Sequence, residues 1–140
     1  MTAPRSTAAG AHGVSGYTEQ LPCQPEAVGR ARAFVTKSLD TWGMREELAD
    51  SGQLIVSELM ANVVSHTKTD LTTVSIRRGK RRVRIEVADS SCTTPQIGFA
   101  DGNSGHGRGL VLVDALSSHW GYVKYPWGKI VWAEMSVSEQ

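Results

Sequence analysis

The stretch Gln53–His66, QLIVSELMANVVSH, packs Leu54, Ile55, Val56, Leu59, Met60, Val63 and Val64 into one short run. That is more apolar surface than a solvent-facing helix carries, so it reads as a mostly buried α-helix. Glu58, Asn62 and His66 recur at every fourth position within it. At 3.6 residues per turn each such step rotates only about 40°, so the three form one slowly drifting polar stripe. A carboxylate or carboxamide left unsatisfied in an apolar setting costs about 1–3 kcal/mol. The stripe therefore needs partners. Hydrogen bonds to neighbouring loops would serve. So would a metal or phosphate site, because Glu and Asn oxygens are hard ligands suited to Mg2+. The helix alone leaves both readings open.

Upstream, Glu46 and Glu47 open this helix, which is expected to end near Thr67. Before it, Val28, Ala31, Val35 and Leu39 recur at helical spacing, Pro25 suits the entry, and Gly43 suits the exit. Trp42 is a core anchor by this reading, and Tyr17–Leu21 is a first strand ended by Pro22. Downstream, Leu71–Arg78 and Arg81–Ala88 alternate β-branched with polar residues around Gly79-Lys80, an antiparallel hairpin. Val83, Ile85 and Val87 share one face of its second strand, and Arg82, Arg84 and Glu86 share the other. The hairpin's basic residues fit a solvated outer face better than a nucleic-acid site, since aromatic residues are not interleaved with them. An acidic protein partner is a third reading.

Ser90–Gly105 is rich in Ser, Thr, Pro, Gly, Asn and Asp and reads as a long loop. Loops of this length often act as lids. Gly105-His106-Gly107-Arg108-Gly109 then precedes Leu110–Leu116, an apolar segment expected to be a buried helix. His119–Tyr125 and Lys129–Ser136 make a closing hairpin across Pro126-Trp127-Gly128. The order strand, two helices, hairpin, loop, helix, hairpin suits an α+β fold, a two-layer α/β sandwich with helices on one face of the sheet.

At 140 residues the chain fits one domain, and 15 basic against 14 acidic residues leave a net charge of +1. That balance does not point to nucleic acid or to a membrane surface. Met1–Gly16 is polar and small, lacks an apolar core segment, and reads as a disordered tail before a domain spanning residues 17–137. Cys23 and Cys92 lie far apart without CxxC spacing, which argues against a disulfide framework or zinc site and for a cytoplasmic protein.

Three features carry the chemistry. Glu58 and Asn62 offer hard oxygens. Asp89, at the mouth of the apolar strand Val83–Ala88, is a loop cap or an acceptor for a ligand amine. The glycines at 105, 107 and 109 allow close backbone approach at a helix start, a natural anion site to which Arg108 adds charge. The run matches neither a dinucleotide fingerprint nor a P-loop, since no βαβ unit surrounds it and no Gly-Lys-Ser/Thr follows.

In this order, SELMANVVSH, VADSS with the following PQ, and GHGRGLVLVDAL resemble the ATP-binding domain shared by DNA gyrase B, heat-shock chaperones, histidine kinases and mismatch-repair ATPases. Within that superfamily the chain, from about Tyr17 to Met135, is most similar to small RsbW-type anti-sigma serine kinases and their actinobacterial relatives. The resemblance implies a Bergerat-type fold with a mixed, mainly antiparallel sheet, and it implies ATP and Mg2+ as cofactors. It carries over Asn62 as the Mg2+ ligand, Glu58 as the catalytic base or water-positioning residue, and Asp89 as the reader of the adenine amine. Gly105, His106, Gly107, Arg108, Gly109 and Leu110 would surround the phosphates. The implied activity is that of an ATP-dependent protein serine/threonine kinase in transcription regulation. Its partners would be a sigma factor and an anti-anti-sigma-like antagonist, and the family also allows a homodimer. A non-catalytic, nucleotide-sensing switch module is the alternative. Two departures stand out: Ser91 where the family has glycine, and Ile130 where its final strand has a hydroxyl, which implies weak nucleotide binding.

Overall fold

The computed structural model describes residues 15–66, 70–90 and 105–138. β1 (Ser15–Pro22) leads into α1 (Ala27–Thr41) and α2 (Arg45–His66). Then come β2 (Leu71–Gly79), β3 (Arg82–Asp89), α3 (Gly105–Leu116), β4 (His119–Tyr125) and β5 (Gly128–Ser136). The strands form one sheet in the order β1-β2-β3-β5-β4. Every pairing is antiparallel. The expected two-layer α+β fold is present, but among the described residues the sheet holds no parallel pair and so is not mixed.

The core follows from the two periodicities. Ile55, Val56, Leu59, Met60 and Val63 line one side of α2, and Ala31, Val35 and Leu39 line α1. They pack with Val74 and Ile76 of β2, Val83, Ile85 and Val87 of β3, and Val131, Ala133 and Met135 of β5. Residues two apart on a strand share a face, so these positions define the helix-facing side of the sheet. Packing on this scale outweighs local propensity. Glu26 begins α1 without a side-chain cap, and the helix still runs for 15 residues. It stops where Gly43 takes a left-handed φ of 73°, with Trp42 half-buried and stacked on Tyr17.

Several boundaries differ from expectation. β1 starts at Ser15, inside the segment assigned to the tail, and residues 1–14 lie outside the described residues. The β2–β3 turn is Lys80-Arg81, one residue later than Gly79-Lys80, because Gly79 pairs with Arg82 and Arg81 takes the positive φ. The glycines of the GHGRG run do not precede α3; they form its first turns. A glycine in a helix costs about 1 kcal/mol, yet a helix packed on a neighbour tolerates it, and α3 packs on α2 with Val113 fully buried. Val111, by contrast, is exposed, so the segment after the glycines is not buried all round. The expected loop at Ser90–Gly105 lies outside the described residues from 91 to 104. No helix among the described residues is long and apolar enough to cross a membrane.

The outer face of the sheet explains the basic hairpin. Arg84 donates to Glu134 from Nε at 3.0 Å and Nη2 at 2.8 Å, and its guanidinium lies 4.1 Å from the Trp132 ring centroid. Arg82 Nη1 reaches the same carboxylate at 3.4 Å, and Arg77 faces Glu86 at 3.4 Å. These arginines are thus held by carboxylates of their own sheet. At the C-terminus, the Ser138 hydroxyl and N–H donate to Glu47 at 2.6 and 2.8 Å and hold its carboxyl below the ordinary range. Because the folded value is depressed, that tether acts above the ordinary carboxylate pKa and is lost as pH falls through the lower one.

Candidate functional site

Glu58 and Asn62 lie one turn apart on α2, both half-buried. They sit at the rim of the apolar face and not within it, since the fully buried positions are 55, 56, 59, 60 and 63. Neither therefore carries the full penalty of an enclosed polar group. His66 closes α2, and His119 is an exposed residue at the start of β4.

Topology fixes which end of the sheet these residues approach. The link from His66 to Leu71 spans at most about 18 Å, at 3.3–3.6 Å per residue, so α2 ends near the start of β2. There the Thr72 hydroxyl donates to the Ala88 carbonyl at 2.6 Å, next to the end of β3. Asp89, the last residue of β3, belongs to this same end of the fold. α2 packs across β3 and β5 and against α3. The C-terminal end of α3 lies at the opposite end of the sheet, where Ser118 bonds to the Glu134 carbonyl at 2.7 Å.

Asp89 is buried on the helix-facing side, in phase with Val83, Ile85 and Val87. The register sets it opposite Lys129 of β5, in phase with Val131, Ala133 and Met135. Lys129 Nζ lies 3.0 Å from Asp89 Oδ2, and each side chain is only 6% exposed. This cation was not anticipated from the sequence. A lysine at the start of a strand reads as solvated, yet alternation back from Val131 already places it inside.

The same register corrects the reading of Ile130. It pairs with Ala88 and Val123, out of phase with Asp89, and points to the outer face of the sheet. The β5 position beside Asp89 is Lys129. Ile130→Thr is therefore expected to leave nucleotide affinity unchanged within about twofold, less than one net hydrogen bond would give. Titration of both proteins with ATP checks this. Ser91, the other departure, lies outside the described residues.

Gly128 makes the rung possible. With φ at 153°, any Cβ there would collide with the Asp89 carbonyl oxygen and sit 2.7 Å from Ser90 Cα. Gly128→Ala is expected to cost about 1–3 kcal/mol, as overpacking does, read as a lowered midpoint in urea.

The histidine kinase-like ATPase domain model matches residues 21–135. The chain belongs to the histidine kinase-like ATPase domain family. The match runs from the end of β1 to the penultimate residue of β5, so it takes in α2, Asp89 and all of α3. No individual curated protein matches the chain. Membership supports ATP binding, and this ATPase-like domain offers a donor set that fits it. A buried carboxylate at one end of β3 suits a base amine, and hard oxygens one turn apart on α2 suit the phosphate end. Among the described residues no three His, Cys, Asp or Glu side chains converge on a metal position. Asn62 is the α2 side chain that would offer Mg2+ a hard oxygen of the kind that ion takes. Gly105, His106, Gly107, Arg108, Gly109 and Leu110 all fall in the first turns of α3, and the N–H groups that a helix leaves unpaired there are those of its first four residues, Gly105 to Arg108.

Proposed function

We propose that this domain binds Mg·ATP at the Asp89 end of the sheet and is an anti-sigma serine/threonine kinase, holding a sigma factor and phosphorylating an antagonist protein. The observation that carries the reading is the position of Asp89, buried on the helix-facing side at the end of the fold where α2 terminates. α3 packs on α2 and ends at the far end of the sheet, and its length allows its first turns to reach the same mouth. A helix of 12 residues is about 18 Å long at 1.5 Å per residue, enough to span the sheet.

In this arrangement Asp89 accepts from the base and Asn62 supplies one metal-facing oxygen. The N–H groups at the start of α3 meet the phosphates. Bound magnesium would offset the negative charge of the phosphate oxygens. Phosphoryl transfer asks the protein chiefly for positioning and charge stabilisation. Glu58, one turn before Asn62, is placed to orient or deprotonate a substrate hydroxyl.

Asn62→Ala removes that oxygen and is expected to abolish the part of ATP binding that depends on magnesium, measured by calorimetry with and without EDTA. The activity itself is tested by purifying the full chain with its cellular partners and adding labelled ATP. Label entering a co-purified serine-bearing protein supports the kinase. Retention of a sigma factor with no transfer favours the non-catalytic switch module. That second reading draws on the Lys129–Asp89 ion pair, which satisfies the base-reading carboxylate before any nucleotide arrives.

A further inference from the structure

We propose that the outer face of the sheet carries a second ligand site, a recess beside the β2–β3 turn that binds a phosphate monoester group through Arg77 and Arg82. The site does not depend on nucleotide binding. Asp89 lies at the other end of β3 from Arg82, on the helix-facing side.

Strand register builds the recess. Arg77 pairs with Arg84 and Gly79 with Arg82, all out of phase with the buried Ile76, Val83 and Ile85 and so on the outer face. Gly79 has no side chain to set against Arg82. A hollow of about 260 Å³ remains there, lined also by Glu86 and Glu134. Arg77 and Arg82 are diagonal neighbours across the two strands, a separation of about 7–8 Å that long side chains can bridge.

The charges around the hollow alternate. Glu134 is shared by Arg82 at 3.4 Å and Arg84 at 2.8 Å, and Glu86 by Arg77 at 3.4 Å and Arg84 at 3.8 Å. The order Arg77, Glu86, Arg84, Glu134, Arg82 thus has a cation at each end. Each end has a single carboxylate among the described residues, whereas Arg84 in the middle serves both. Arg77 is the less satisfied end. Its Nε is the one buried side-chain polar atom among the described residues with no hydrogen-bond partner, although its side chain as a whole is 35% exposed. A guanidinium has five N–H donors, so both ends keep donors for an added oxyanion.

The balance of charge selects the ligand. With Arg78, four arginines and two glutamates line the hollow. A phosphate monoester brings about −1.5 to −2 charge and three acceptor oxygens, which matches that excess, and guanidinium forks suit its geometry. A carboxylate would offset only half of it. The two glutamates disfavour an extended polyanion, and Arg84 already lies over the Trp132 ring on which a nucleic-acid base would stack.

The test follows the amide NMR signals of Gly79 and Arg82 in the full-length protein. It is titrated with inorganic phosphate, with a phosphoserine peptide and with the same peptide unphosphorylated. Both phosphate probes are expected to shift those signals saturably at about millimolar concentration, and the unphosphorylated peptide to leave them in place. A phosphopeptide that binds more tightly than inorganic phosphate assigns the site to a phosphorylated protein; equal affinity assigns it to free phosphate. Gly79→Leu fills the hollow without changing charge, and Arg77→Gln with Arg82→Gln removes both ends of the chain of charges. Each is expected to weaken phosphate binding by about tenfold or more, as loss of charge-assisted hydrogen bonds does, with ATP binding as in the wild type. Lys124→Gln, which removes an exposed charge on β4, should change it by less than about twofold. The wild-type shifts decide the matter even if a variant folds poorly. Signals that stay fixed with both phosphate probes overturn the proposal. So do binding that survives Gly79→Leu, an equal loss in Lys124→Gln, and tighter binding of a single-stranded oligonucleotide than of either phosphate probe.

Discussion

Asp89→Ala is expected to cost about 3–5 kcal/mol of folding stability, the usual penalty for removing one partner of a buried ion pair. The reason is local. Lys129 and Asp89 are both 6% exposed and 3.0 Å apart, so the ammonium loses its carboxylate in a place where bulk water cannot replace it. The double variant Asp89→Ala with Lys129→Met should recover much of the loss, because an apolar pair avoids the cost of desolvating two charges. Urea unfolding of the wild type, the single variant and the double variant separates these contributions. A single variant within about 1 kcal/mol of wild type would place the pair among weak surface contacts and contradict the burial. Nucleotide binding should disappear in Asp89→Ala and in the double variant alike, although the latter is stable. That contrast distinguishes a role in base recognition from one in folding.

The second large effect concerns chemistry. Glu58→Gln is expected to lower phosphate transfer to a protein substrate by about 10²–10⁴, the range a positioned general base contributes. Gln keeps the shape and most hydrogen-bonding capacity of Glu but has no basic oxygen. Glu58 is half-buried at the rim of the apolar face of α2, so the exchange should leave the melting temperature close to wild type. Nucleotide affinity should also persist, because Asp89 and Asn62 are untouched. If Gln lowered the melting temperature and left transfer intact, Glu58 would be a structural residue tying α2 to its surroundings.

The fold was legible in the sequence wherever one periodicity dominated. The apolar run of α2 and the alternation in β3 and β5 specified buried faces, and the structure buries Leu59, Met60, Ile85 and Ala133 accordingly. Turns were less legible. Gly79 drew the hairpin turn to itself, whereas Arg81 adopts the positive φ. The helical start of α3 was hidden because glycine is a poor helix former alone, and packing against α2 decides the matter. In the candidate site Asp89 could be read directly, from its position after an apolar strand. Lys129 could not be read from residue type, although the alternation Lys129, Val131, Ala133, Met135 held the signal. A slip of one residue on a strand exchanges its faces. Ile130, matched to the family's hydroxyl position, lies one residue out of phase with Asp89, and Lys129 takes the place beside it. The outer-face pairs of Arg84 with Glu134 and Arg77 with Glu86 depend on register between strands distant in sequence, which no single segment encodes.

The claim that this family member binds Mg·ATP is tested most directly by calorimetry on the full-length wild-type protein. ATP is titrated in magnesium and again in EDTA. A saturable isotherm is expected by about millimolar ATP, where a dissociation constant of 1 mM corresponds to roughly −4 kcal/mol, with weaker binding in EDTA. A flat titration in magnesium at that concentration, from a protein with a cooperative unfolding transition, would contradict the account.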